Sequence, residues 1–76
     1  MNIQHEIWQE PDGKTALLLT GQWGDAGRAL LEKNSKLIHS FYASSHFEAM
    51  TIYFNYMGWG EYTTIHQNDK FPYTDF

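Results

Sequence analysis

Cysteine is absent from this chain, so no disulfide and no thiolate zinc site can staple it. Long apolar runs are also missing. The longest, Ala16-Leu17-Leu18-Leu19, is far too short to span a bilayer. Positive charge is scarce: five Lys/Arg stand against nine Asp/Glu, for a net charge of −4. The basic residues (Lys14, Arg28, Lys33, Lys36 and Lys70) are scattered, so no basic stripe is available to neutralise phosphates, and nucleic acid is not an expected partner. The opening Met-Asn-Ile-Gln-His-Glu has neither a basic stretch nor an apolar run and does not read as a signal peptide. Together these absences lead us to expect a cytoplasmic protein with no membrane partner.

What the chain does have is aromatic side chains, at 17% of its 76 residues. Each can bury roughly 150–250 Å², which argues against disorder. The length predicts one small domain over residues 1–76 with a marginal core. Without disulfides, its stability must come from packing, from a histidine/carboxylate metal site or from association.

Residues 2–20 read as a β-hairpin. Glu10-Pro11-Asp12-Gly13 suits a type I turn followed by a left-handed glycine. That turn sets Glu10 opposite Lys14 and pairs Trp8 with Ala16, Ile7 with Leu17, Glu6 with Leu18 and His5 with Leu19. Ile3, His5, Ile7, Leu17 and Leu19 then form the core face. Glu6, Trp8, Glu10, Lys14, Ala16 and Leu18 form the surface face. Gly21, Gly24 and Gly27 open a loop around Trp23. Asp25 is expected to cap a short helix at about 25–33, with Ala29 and Leu30 turned to the core. Lys36–Ala43 reads as a strand that is apolar on both faces, which suggests a central place in a sheet.

The firmest element is a helix at about 45–57. Ser45 and Glu48 have capping-box spacing, and Gly58 is a natural left-handed stop. Phe47, Met50, Phe54 and Met57 form one stripe, flanked by Ala49, Tyr53 and Tyr56. The apolar arc spans roughly 220°, wider than a one-sided surface helix needs. Thr63-Thr64-Ile65 reads as a short strand. Residues 67–76 read as an irregular tail that packs through Phe71, Tyr73 or Phe76. The fold class expected is α+β: a small antiparallel sheet, the hairpin plus one or two further strands, packed against one main helix.

The chemistry is sparse. The Gly21-x-x-Gly24-x-x-Gly27 spacing matches no dinucleotide or Walker loop, although Arg28 would add a charge for an anion there. His5, His39, His46 and His66 could join Glu48 or Glu61 around a metal. However, no pair has helical i, i+4 spacing, and strand-face histidines are more often core residues than ligands. Ser44 and Ser45 serve better as helix caps than as nucleophiles, and no nucleophile elbow occurs. No catalytic residue, cofactor or metal is therefore assigned, and an enzyme is not expected.

His5-Glu6-Ile7-Trp8, the run from Lys36 to Tyr53 and the closing Tyr56-Met-Gly-Trp-Gly-Glu-Tyr-Thr-Thr resemble small uncharacterised bacterial proteins. The resemblance implies a bacterial, cytoplasmic source and carries no activity. The residues themselves point to a non-enzymatic protein-interaction domain. Its surface would be Tyr53, Tyr56, Trp59, Tyr62 and Trp8, facing an unidentified protein or a second copy of the chain, since Tyr and Trp bring large area with a polar handle. The alternative is a small protein that binds a ligand, anion or metal through the glycine loop or the histidines.

Overall fold

A computed structural model describes residues 2–73. Its elements are β1 (Ile3–Gln9), β2 (Thr15–Leu19), a 3-10 turn (Gly21–Gly24), α1 (Asp25–Ala29), β3 (Lys36–Ala43), α2 (His46–Met57) and a second 3-10 turn (Gln67–Lys70). The fold is α+β, with a three-stranded open antiparallel sheet in the order β2-β1-β3, one main helix and one short one. Among the described residues no helix is long and apolar enough to cross a membrane. The chain forms two compact units. One is Gln4–Phe41; the other begins at Tyr42 and also takes in the start of the chain through Ile3.

In the first unit the hairpin has the register that its turn dictates. His5 pairs with Leu19, Glu6 with Leu18, Ile7 with Leu17 and Trp8 with Ala16. The Gly13 N–H donates to Glu10 O at 2.9 Å and the Glu10 N–H to Lys14 O at 2.8 Å. Gly13 has φ of 93°, a conformation that side chains with a Cβ rarely adopt. Ile3, His5 and Ile7 are buried, alternating with partly exposed neighbours. β3 runs antiparallel to β1. His5 stacks on Phe41 near one end, and Gln9 and Lys36 line a common cleft at the other.

Three expectations for this unit are corrected. β3 is an edge strand and β1 is the central one. The apolar residues on both faces of β3 misled, because Leu37 and Tyr42 stay exposed at 48% and 62%. α1 covers only Asp25–Ala29, and Asp25 is its first residue, not its cap. Leu30, expected in the core, is 86% exposed. Finally, the hairpin face read as surface is partly covered. Arg28 Nη1 donates to Glu6 Oε1 at 3.0 Å and to Leu19 O at 2.9 Å. Its Nη2 donates to Asp25 Oδ1 at 2.6 Å and also to Gly21 O. The hydrogen bond to Asp25, aided by the Glu6 charge, raises the Arg28 pKa further above its ordinary value, so the guanidinium stays cationic.

Close approach explains two of the loop glycines. A Cβ on Gly24 would lie 1.9 Å from Leu19 O, and one on Gly27 would lie 2.5 Å from Leu18 Cδ2. At Gly24 the obstacle is backbone, so only glycine lets the segment lie so tightly on β2 there; at Gly27 a Cβ would require the end of the Leu18 side chain to move.

In the second unit, α2 starts where the capping box predicts. The Ser45 hydroxyl accepts from the Glu48 N–H at 3.0 Å. The Glu48 carboxylate bonds the Ser44 N–H at 2.7 Å, one residue earlier than a standard box would place it. Gly58, with φ of 72°, ends the helix. Its N–H donates to Asn55 O at 3.3 Å and the Trp59 N–H donates to Phe54 O at 3.0 Å, which together make a Schellman motif.

Candidate interaction surface

The Schellman motif decides where the aromatic residues go. It turns the chain back at Gly58, so that Trp59 comes to rest on the last turn of α2. The Trp59 ring meets Phe54 edge-on at 5.4 Å and Tyr53 at 5.2 Å. Such pairs contribute about 0.5–1.5 kcal/mol beyond area burial, so Trp59 is fixed in orientation while 52% exposed. Tyr56, on the same end of the helix, is 46% exposed.

The other expected surface residues are placed differently. Tyr53 is 6% exposed and supports Trp59 from beneath. Tyr62 is half-buried, with its ring 5.7 Å from Phe47 and 5.2 Å from Phe54. Trp8 belongs to the first unit and is half-buried; its Nε1–H donates to Glu6 Oε1 at 2.9 Å. Of the five expected surface residues, Tyr56 and Trp59 are the two that are exposed.

The tail, expected to pack through Phe71, Tyr73 or Phe76, does fold over the rest of α2, though largely through other residues. Residues 58–73 return along the helix as a strap. Tyr62 lies on Phe47 and Phe54, and the Lys70 ammonium sits 5.0 Å from the centre of the Phe47 ring. Pro72 forms a bridge with Ser45, and the Tyr73 N–H donates to Ser44 O at 2.6 Å. Burial, then the nearby Glu48 carboxylate, push the Tyr73 phenol above its ordinary pKa. Asp69 braces the strap by accepting from the Thr64 hydroxyl at 2.9 Å and the Tyr62 hydroxyl at 3.3 Å.

The strap corrects two expectations. Residues 63–65 form no strand, because Thr64 spends its hydroxyl on Asp69 and on the His66 N–H. The tail holds a 3-10 turn and a bridge where irregular chain was expected; Tyr73 is half-buried and Phe71 is exposed. Phe76 lies outside the described residues. Pro72 was the signal in the sequence, since proline favours the extended backbone of a strap.

The residues of the alternative reading are distributed through both units. Arg28 is bonded to Glu6, Asp25 and two carbonyls at the glycine loop, which leaves it engaged. His5 is buried, its ring 5.4 Å from that of Phe41 and nearly parallel to it, and His39 stacks on the same ring at 6.1 Å. His46 begins α2 and is exposed, as is His66. Among the described residues no three His, Asp or Glu side chains converge as metal ligands would. A cleft of about 250 Å³ lies at the hairpin turn, lined by Gln9, Glu10, Pro11, Gly13, Asn34 and Lys36. It involves neither the glycine loop nor a histidine, and Glu10 on its wall accepts the Glu32 N–H at 3.2 Å.

Compared with known proteins, the chain matches no family model, no curated protein and no solved structure.

Proposed function

We propose that this chain is a non-enzymatic protein-interaction domain whose contact surface centres on Tyr56 and Trp59. The observation that carries this reading is the fixed exposure of Trp59. Its backbone is set by the helix stop and its ring is braced by Tyr53 and Phe54. A large ring held rigid before binding loses little conformational freedom when a partner covers it, which is how aromatic hot spots gain affinity. Tyr56, on the same end of the helix, adds exposed aromatic area. The lack of cysteine suits a reducing compartment. With the resemblance noted above, the reading extends to a bacterial cytoplasm.

Affinity capture with the wild-type chain and with a Trp59→Ala bait, each read by mass spectrometry, tests the reading. We expect a partner that the wild type retains and the variant loses, with an unchanged far-UV spectrum. A capture profile that the substitution leaves unaltered, from a bait that remains folded, overturns it.

A further inference from the structure

Two tight turns are joined at one end of the first unit. The hairpin turn is closed by the Gly13 and Glu10 N–H bonds, and the Asp12 carboxylate accepts the Lys14 N–H at 3.0 Å. The second turn leads into β3. There the Glu32 carbonyl accepts from the Ser35 N–H at 3.2 Å and from the Ser35 hydroxyl at 2.6 Å. Asn34 takes the left-handed conformation, with φ of 74°, which asparagine adopts more readily than most side chains. One side-chain bond ties the turns together, as Glu10 Oε2 accepts the Glu32 N–H at 3.2 Å. The cleft of about 250 Å³ draws its walls from both: Gln9, Glu10, Pro11 and Gly13 on one side, Asn34 and Lys36 on the other. Hydrogen bonds within the protein set both walls, so the cleft is formed before anything enters it.

The fold does not use up the polar groups on these walls. Among the described residues the Lys36 ammonium makes no ion pair, and the side-chain amides of Gln9 and Asn34 make no hydrogen bond. Glu10 spends one carboxylate oxygen on the Glu32 N–H and keeps the other. Lys36 and Glu10 therefore bring opposite charges to the same cleft without pairing with each other. We propose that the cleft binds a small zwitterion of the α-amino-acid class, with its carboxylate on Lys36 and its ammonium on Glu10.

The walls select this class. An anion alone, such as phosphate, would bring like charge towards Glu10, and a cation alone would do the same towards Lys36. A molecule carrying both charges a few ångströms apart satisfies each wall at once. The amides of Gln9 and Asn34 offer both donors and an acceptor, which suits a second carboxylate oxygen or a polar side chain. Pro11 adds a small apolar wall, too little for a lipid chain. Size agrees: sites for drug-sized molecules run to about 300–1,000 Å³, and this cleft is smaller. Lys36 is exposed, so its charge stays partly hydrated and binding is modest.

This site lies in the first unit, whereas Tyr56 and Trp59 lie in the second, and the experiment separates them. The full-length chain is titrated with L-serine and followed by backbone amide NMR shifts. Saturable shifts are expected at Gly13, Asn34 and Lys36, with a dissociation constant on the order of a few millimolar. N-acetylserine lacks the ammonium and serinamide lacks the carboxylate; each is expected to bind at least about tenfold more weakly. Lys36→Met and Glu10→Gln are each expected to weaken L-serine binding at least about fivefold. The glutamine oxygen can still accept the Glu32 N–H, so the tie between the turns survives that change. Trp59→Ala is expected to leave L-serine binding unaltered. No saturable shift at these residues up to about 50 mM overturns the proposal. So does equal binding of the two singly charged analogues, or L-serine binding that neither cleft variant weakens. Inorganic phosphate binding more tightly than L-serine overturns it as well, in favour of an anion site.

Discussion

α2 carries within its own sequence the bonds that begin and end it. Ser45 and Glu48 satisfy donors at its start, and Gly58 and Trp59 satisfy carbonyls at its end. α1 has no such devices. Gly24 precedes it without a side-chain cap, and its five residues fall well short of what an isolated helix needs. It is held by Arg28 reaching to Glu6 and Leu19, and by glycines that let the backbone press onto β2. One helix is specified locally; the other is specified by what it touches. A substitution at α1 should therefore act through fit, and one at α2 through hydrogen bonding.

The largest effect expected is from Gly24→Ala. Its methyl would lie 1.9 Å from a backbone carbonyl that cannot yield cheaply. We expect a loss of about 3 kcal/mol, measured by denaturant unfolding. Hydrogen exchange should speed up around α1 more than in α2. Equal acceleration in both would mean that the two helices are not held independently. Ser45→Ala should cost about 1 kcal/mol, the usual value of a lost N-cap, and its exchange signature should be confined to the first turn of α2. Leu30→Lys should change stability by no more than about 0.5 kcal/mol, because the side chain is 86% exposed. A larger loss would mean that α1 has a core face after all.

The same contrast explains what could be read from the sequence. The hairpin register was legible because a Pro-Asp-Gly turn sets Glu10 opposite Lys14, and that puts Ile7 opposite Leu17. The limits of α2 were legible because capping residues act on neighbours a few positions away. The end of α1 and the exposure of Leu30 were not, because they depend on Arg28 meeting a strand far away in sequence. Strand order was illegible for a related reason. An apolar strand looks central whether its excess is buried or left open, and Leu37 and Tyr42 are open. At the candidate surface, helical periodicity found the aromatic end of α2 but could not sort Tyr53 from Tyr56. That division depends on the path of the chain after Gly58. The strap itself left only Pro72 as a trace, since its ties are single side-chain bonds with no period.

The strap also has a consequence for the newly made chain. α2 and its caps need only neighbouring residues, and a helix forms in about a microsecond. The cover for Phe47 and Phe54 comes from Tyr62 and is tied down by Pro72 and Tyr73, all of which are synthesised later. At roughly 5–20 residues per second, translation leaves that stripe without its cover for about a second or longer. Until the strap docks, α2 has two phenylalanines without their cover. A chain cut before Tyr62 should therefore leave that stripe open to other apolar surfaces.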